Sequence, residues 1–360
     1  MDEEIAALDV NQTWELVPLP EGKKAIGCKW VYKVKHKADG TIERYKARLV
    51  AKGYAQTYGI DYEETFAPVA KMTTIRTVIA VDCTKGWFMH QMDVKNAFLQ
   101  GEPQEEVYVE QPPSYEDGKH PDYVCQLCKA LYGLKQAPRA WHDRITKYLL
   151  RIGFCMSHAD HSLYVRQSDA GFVLITIYVD ELIIVGDNEI EIEHVKSLLK
   201  KDFEMKDLGE LRYFLGLEVI RTTEGIWLSQ RQYALDMLHK YGLLAVSFTC
   251  RIVGSLIYLQ PDLSYTVGLQ SQFMQLPRKP HLDAVRRTLR YVRATLDHAL
   301  FYAADVPEEL HGYIDADWAS STIDQRATSG FMFTLGSAAI TWSSKKHPTI
   351  ALPSIEAEYI

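Results

Sequence analysis

Apolar and polar positions alternate along 29–35 and again along 44–52, with Ala38-Asp39-Gly40 between the two runs. Period-two alternation on both sides of a turn-forming triplet predicts a β-hairpin. The pattern then lengthens: 75–81 is apolar at helical spacing, and 87–94 reads as a strand reaching Asp93. Residues 130–150, after the Tyr132-Gly133 break, repeat at helical period, with Trp141, Ile145, Leu149 and Leu150 assigned to one face. Two short apolar runs, 172–177 and 182–185, have the length and β-branched content of buried strands and together predict a hairpin over 172–185. Helices are expected over 190–203, 230–241 and 281–295, and a strand pair over 211–220 and 225–228. From 310 onward the strand pattern returns, at 310–315, 330–335 and 339–343. There is no internal repeat and no low-complexity linker. The order of elements predicts an α+β fold with a small strand-rich terminal domain.

Composition narrows the class. The 360 residues suffice for two or three domains with full cores, and 47% hydrophobic and 24% charged residues are ordinary for a soluble protein. No apolar stretch approaches the length needed to span a membrane, and the acidic start Met1-Asp2-Glu3-Glu4 is unlike a signal or transit peptide. Six scattered cysteines predict a reducing compartment. Cys125-Gln-Leu-Cys128 has no second pair at ligand spacing, which argues against structural zinc.

The net charge of −7 hides a strong asymmetry. Lys23, Lys24, Lys29, Lys33, Lys35, Lys37, Arg44, Lys46, Arg48 and Lys52 face only Asp39 and Glu43 across the same stretch. Arg286, Arg287, Arg290 and Arg293 form a second basic run between helically spaced apolar residues. Either segment is suited to track a phosphate backbone, the simpler alternative being a solvated charged face.

The chemistry concentrates at Tyr178-Val179-Asp180-Glu181, which joins the two buried runs of 172–185. Adjacent carboxylates at a hairpin tip repel, and a hard divalent cation is the usual compensation. In isolation the tetrapeptide also reads as a solvated acidic turn. Asp93, at the end of its own strand, is the first candidate partner: two such carboxylates facing each other suit a pair of cations in in-line nucleotidyl transfer.

Four long segments occur in this order: Lys46-Ala-Arg-Leu-Val-Ala-Lys-Gly-Tyr-Ala-Gln56, Gly59-Ile-Asp-Tyr-Glu-Glu-Thr-Phe-Ala-Pro-Val69, Gln91-Met-Asp-Val-Lys-Asn-Ala-Phe-Leu99 and Leu131-Tyr-Gly-Leu-Lys-Gln-Ala-Pro-Arg-Ala-Trp141. With Tyr178-Val-Asp-Glu181 and Lys206-Asp-Leu-Gly209, the chain resembles the reverse transcriptase of copia-type LTR retrotransposon Pol polyproteins from about residue 11 onward. The resemblance implies a right-hand polymerase with fingers over about 11–90, palm over 86–220 and the start of a thumb over 221–245, a shortened thumb and connection over 246–305, and a truncated ribonuclease H-like α/β segment over 306–360. It implies RNA-dependent DNA polymerase activity in transposition, with two Mg²⁺ ions, or Mn²⁺ as a substitute, on Asp93 and Asp180, supported by Glu181. Lys46 and Arg48 are then expected over the nucleotide triphosphate. Gly133, Lys135, Gln136 and Pro138 would shape the template and nucleotide pocket, and Phe98 would stack below the sugar. Lys206 would be the general acid, and Tyr213, Leu215 and Gly216 would belong to the primer grip. Asp315-Ala-Asp-Trp318, Thr328-Ser-Gly330 and Ile355-Glu-Ala-Glu-Tyr359 resemble the start of a ribonuclease H domain, with Asp315 and Glu358 as two of its four acids. Partners implied are an RNA or DNA template with primer, deoxynucleoside triphosphates and partner chains of the same element, with no membrane. The implied compartment is the cytoplasm, within a virus-like particle, and/or the nucleus, without a targeting signal.

Departures from that pattern predict reduced or absent turnover. The family's hairpin ends in two aspartates, whereas Glu181 adds a methylene, and a two-metal site is sensitive to displacements of about an ångström. Phe248-Thr-Cys250 runs directly into Arg251, where the family has a longer stretch, and Leu259-Gln-Pro-Asp-Leu263 is abbreviated. Pro353 stands where a serine is usual, and the ribonuclease H-like segment stops before two of its acids, so RNA cleavage is expected to be absent. The start resembles an internal methionine of a longer polyprotein. The alternative expectation is a catalytically inactive relic that retains nucleic-acid binding.

Overall fold

The computed structural model describes residues 1–36, 41–241, 253–254, 256, 260–318 and 324–350. The described residues form two compact units: 1–70 with 90–209, and 71–89 with 210–360. The Ala38-Asp39-Gly40 turn, the 248–250 junction and Glu358 lie outside the described residues. Among the described residues no helix is long and apolar enough to cross a membrane.

In the first unit, a six-stranded sheet runs in the order Met205–Glu210, Phe88–Val94, Glu181–Gly186, Gly171–Tyr178, Leu163–Ser168, Cys155–Met156. The expected hairpin is its centre: Leu182 pairs with Ile177 and Ile184 with Ile175 in antiparallel register. Thr176 and Ile183 on the opposite face are buried as completely as Ile175 and Leu182, which is why the sequence reads as continuous apolar runs. The helices Ala137–Arg151 and Glu189–Asp202 pack on this sheet, with Trp141, Ile145, Leu149, Val195 and Leu199 in one core with Ile175, Ile177, Leu182 and Ile184.

The first of these helices corrects the expected 130–150. Residues 130–136 are turns, and the helix starts at Ala137, with Pro138 in its first turn, where a missing N–H is harmless. Leu150 is 49% exposed and lies off the buried stripe of Trp141, Ile145 and Leu149, which are spaced four apart.

A second core of this unit joins the base of the two-stranded ribbon Cys28–His36 and Ile42–Ala51 to the sheet ordered Trp14–Pro18, Tyr123–Leu127, Tyr108–Val109, and to Leu8 of the N-terminal helix Asp2–Val10. Those N-terminal elements, and the strand Tyr123–Leu127 that carries Cys125, had no sequence pattern assigned to them. Cys125 is a free thiol, buried in the strand, and Cys128 is free and exposed.

In the second unit, the strand expected over 211–220 is two strands, Tyr213–Phe214 and Leu217–Arg221, paired antiparallel. Leu215 and Gly216 both take positive φ, 52° and 80°, so the chain reverses in a two-residue turn of the primed kind. Gly225–Ser229 and Leu300–Ala303 complete that sheet. The amphipathic helices Arg231–Tyr241 and Lys279–Ala294 share a core through Ala234, Met237, Val285 and Val292. The tail is an antiparallel meander of Leu310–Asp317, Thr328–Leu335 and Ala338–Lys346.

One buried ion pair fixes the helix Met72–Lys85 within this unit. Asp82 is fully buried and takes a 2.5 Å bond from Arg221 Nη2. Burial pushes its carboxyl up to about 6, against the opposing pull of the Arg221 charge. A folded-state value above the unfolded one contributes stability at low pH that is lost as pH rises through that interval. Arg221→Ala should therefore cost about 3 kcal/mol near pH ~8, where an ionised carboxylate is left stranded, and distinctly less near pH ~5. Urea denaturation at the two pH values checks this, and an equal loss at both would contradict it.

Candidate active site

Three backbone features bring Asp93, Asp180 and Glu181 together. The strand order sets Phe88–Val94 between the acidic hairpin on one side and Met205–Glu210 on the other, so Asp93 is flanked by Asp180 and by Lys206. The Val94 N–H donates to the Asp180 carbonyl at 2.7 Å. Glu181 pairs with Tyr178, leaving Val179 and Asp180 as a two-residue turn. Val179 holds φ +55°, a conformation that a β-branched residue strongly resists.

The electrostatics show the consequence. Burial, and then the charge of Asp180, push the Asp93 carboxyl above the ordinary carboxylate range, while Lys206 and Lys46 pull the other way. Burial, followed by the charges of Asp180 and Asp93, raises Glu181 in the same direction. Asp93 thus feels the charge of Asp180, Glu181 feels both aspartates, and two cations from different elements act on Asp93. Among the described residues, no three His, Cys, Asp or Glu side chains close into a metal cage. Asp93 is partly buried near the end of its strand, Asp180 is exposed in the turn, and Glu181 is partly buried at the start of its strand.

The basic ribbon contributes Lys46, whose charge acts on Asp93. Lys46 and Arg48 lie two apart on one strand and so share a face, with Lys33 opposite Lys46. The Arg48 guanidinium stands 4.6 Å from the centre of the Tyr132 ring, and Phe98 packs edge-on against the same ring at 5.4 Å. Burial pushes the Tyr132 phenol up to about 12. Glu4 from the N-terminal helix is buried near the same cations: burial raises its carboxyl, and a backbone bond from Leu49 and the charges of Lys46 and Arg48 oppose the rise.

Gly133 is where the ribbon meets the 131–136 turn. Ala51 N–H donates to the Tyr132 carbonyl at 2.7 Å, and a Cβ on Gly133, at φ +90°, would lie 2.3 Å from the Ala51 oxygen. Lys135 and Gln136 are held inside this junction. The Lys135 ammonium bonds the Gln56 carbonyl and the Tyr62 hydroxyl, both at 3.1 Å. Gln136 is buried, takes a 2.9 Å bond from the Gln56 amide and donates to the Asp61 carbonyl at 3.0 Å.

The expected residues therefore divide. Asp93, Asp180, Glu181, Lys206, Lys46 and the Arg48–Tyr132–Phe98 stack fall in one neighbourhood of the first unit, and Lys135 and Gln136 brace that unit from within. Tyr213, Leu215, Gly216 and the exposed Asp315 belong to the second unit. Sequence reading missed Gln56, Tyr132, Glu4 and Trp141 as parts of the site. The aromatic Tyr132 was visible only as a break before a helix, and Gln56 gives no local signal because its partners lie about eighty positions away.

Residues 11–253 match the reverse transcriptase (RNA-dependent DNA polymerase) family. The chain belongs to the reverse transcriptase family. Over its whole length it is 43% identical to the Pol polyprotein of transposon RE2 of Arabidopsis thaliana, covering 27% of that protein, and 37% identical to that of transposon TNT 1-94 of Nicotiana tabacum, covering 30%. A transposon Ty5-1 protein of Saccharomyces cerevisiae is 36% identical over 75% of the chain and 97% of its own length. The chain spans between a quarter and a third of the plant polyproteins, and what it carries is the reverse transcriptase domain of copia-like retrotransposon Pol polyproteins.

If Asp180 is the charge that raises both neighbours, Asp180→Asn should stabilise the metal-free reverse transcriptase. The folded chain binds extra protons between the unfolded and raised values of Asp93 and Glu181, so stability falls as pH rises through that window. The variant should flatten that fall and melt ~2 °C higher near pH ~8, while losing any stabilisation by Mg²⁺ that the parent shows. Differential scanning calorimetry with and without Mg²⁺ measures both.

Proposed function

We propose that this domain extends a primer with deoxynucleoside triphosphates on an RNA or DNA template, using Asp93 and Asp180 as the principal metal ligands, Glu181 as a weakened auxiliary ligand, and a reduced turnover as the outcome. The observation that carries the reading is the hydrogen bond from the Val94 N–H to the Asp180 carbonyl across two adjacent strands, which brings the charge of Asp180 to bear on Asp93 and Glu181. Mg²⁺ typically binds one or two carboxylates and completes its shell with water and substrate phosphate oxygens, so a pair of acids without a closed protein cage fits it. When bound, the two ions would supply Lewis-acid activation of the primer hydroxyl and charge neutralisation at the leaving pyrophosphate.

The protein's own groups do the rest. Lys46 and Arg48 attract the triphosphate, with the Arg48 guanidinium oriented by Tyr132. Lys206 is a cation on the strand beside Asp93 and donates a proton toward pyrophosphate. Phe98, braced edge-on by Tyr132, borders the sugar and disfavours a 2′-hydroxyl. Lys135 and Gln136 act here through Gln56 and Asp61, keeping the ribbon seated on the 131–136 turn.

In this reading the fingers span about 11–90, the palm 86–220, the start of the thumb 221–245 and a shortened thumb and connection 246–305, with membership of the reverse transcriptase family over 11–253 as support. The antiparallel meander of Leu310–Asp317, Thr328–Leu335 and Ala338–Lys346, with Asp315 on its first strand, supports a ribonuclease H-like identity for 306–360. Reduced turnover is supported by Glu181, and by an alignment of 387 positions with the RE2 polyprotein against the 360 residues present here.

Primer extension with Mg²⁺ and with Mn²⁺ tests the reading. Asp180→Asn should abolish extension, and Glu181→Asp should raise it roughly tenfold or more by restoring the shorter reach. Salt-sensitive template binding with no extension by either the parent or Glu181→Asp would favour the nucleic-acid-binding relic instead.

A further inference from the structure

The turn that presents Asp180 is held by a residue far from it in sequence. Val179 sits at φ +55°, where its branched Cβ is crowded, and conformations of this kind persist only when their surroundings over-determine them. Two bonds do so. The indole Nε1–H of Trp141 donates to the Val179 carbonyl at 2.6 Å, and the Val94 N–H donates to the Asp180 carbonyl at 2.7 Å. Both peptide planes leaving the turn residues are thereby fixed, and with them the direction of the bond from which the Asp180 carboxylate projects.

Trp141 is itself unable to follow a relaxing turn. It is 2% exposed, packs edge-on against Phe203 at 5.5 Å and 89°, and its backbone lies so close to Gly101 that a Cβ there would come within 2.5 Å of the Trp141 nitrogen. Indole is a donor only, so a buried N–H aimed at this one carbonyl has no second way to be satisfied locally. We infer that Trp141 is a positioning residue for the carboxylate site, its indole N–H clamping the strained Val179 so that Asp180 faces Asp93. Its link to catalysis rests on the metal-site reading above; the clamp itself does not.

Trp141→Phe keeps most of the ring in its packing and removes only the donor, and Val179→Gly removes the steric objection to positive φ. The expected results are specific. In Trp141→Phe, hydrogen exchange at the Val94 amide should quicken ~tenfold relative to the Ile184 amide deeper in the same hairpin. Mn²⁺ affinity, read by electron paramagnetic resonance on the full chain, should weaken ~fivefold, and adding Val179→Gly should return it to within about twofold of Val179→Gly alone. A lower melting temperature with Val94 exchange and Mn²⁺ affinity unchanged would overturn the inference, because it would make Trp141 a packing residue only. Asp180→Asn serves as the control for the underlying reading. If the parent binds no Mn²⁺, or Asp180→Asn binds as well as the parent, the metal assignment fails, and Val94 exchange alone decides the clamp.

Discussion

The repulsion among Asp93, Asp180 and Glu181 is imposed on the molecule by its backbone. Adjacent strands, one cross-strand hydrogen bond and a two-residue turn bring the charge of Asp180 to bear on Asp93 and Glu181, whose burial pushes both carboxyls in the same direction. A flexible loop would let such groups move apart. Here Asp93 and Glu181 sit on adjacent strands and Asp180 in the tight turn that joins two strands buried on both faces, so separating them means disturbing the core beneath. The core thus supplies the rigidity that keeps an unfavourable charge arrangement in place, which is what a preorganised cation site requires. Lys46 and Lys206, reaching in from different elements, reduce the cost without removing it.

Most of the elements that build this arrangement were legible in the sequence, for an identifiable reason. Strands buried on both faces read as continuous apolar runs, so the hairpin at 172–185 and its acidic tip were visible without any knowledge of their neighbours. The ribbon was visible from the period-two alternation of its strands, although neighbouring residues such as Val31 and Tyr32 are both exposed. Where sequence reading failed, the deciding contact was distant or depended on backbone conformation. The helix beginning at Ala137 was extended backwards through 130–136, because apolar spacing alone does not register that these residues turn to meet the ribbon at Ala51. The apolar pattern over 211–220 does not show the break in that strand, because leucine gives no local signal of the positive φ that Leu215 adopts.

The site divides along the same line. Asp93 and Asp180 could be named from local pattern and family resemblance. The inward roles of Lys135 and Gln136 could not, since each is set by Gln56, Asp61 or Tyr62 on another segment. Trp141 was recognised as a member of an apolar stripe, which it is, while the polar end of the same side chain bonds the strained turn. Membership of the reverse transcriptase family gives these acids a chemical context.

Asp93 and Asp180 are proposed here as the shared seat of the catalytic cations. Anomalous scattering from Mn²⁺, in crystals of the chain with a template–primer and a deoxynucleoside triphosphate, tests it most directly. Density is expected between the Asp93 and Asp180 carboxylates and should disappear in Asp180→Asn. Mn²⁺ bound only at sites remote from both residues, in crystals with the nucleotide in place, would contradict it.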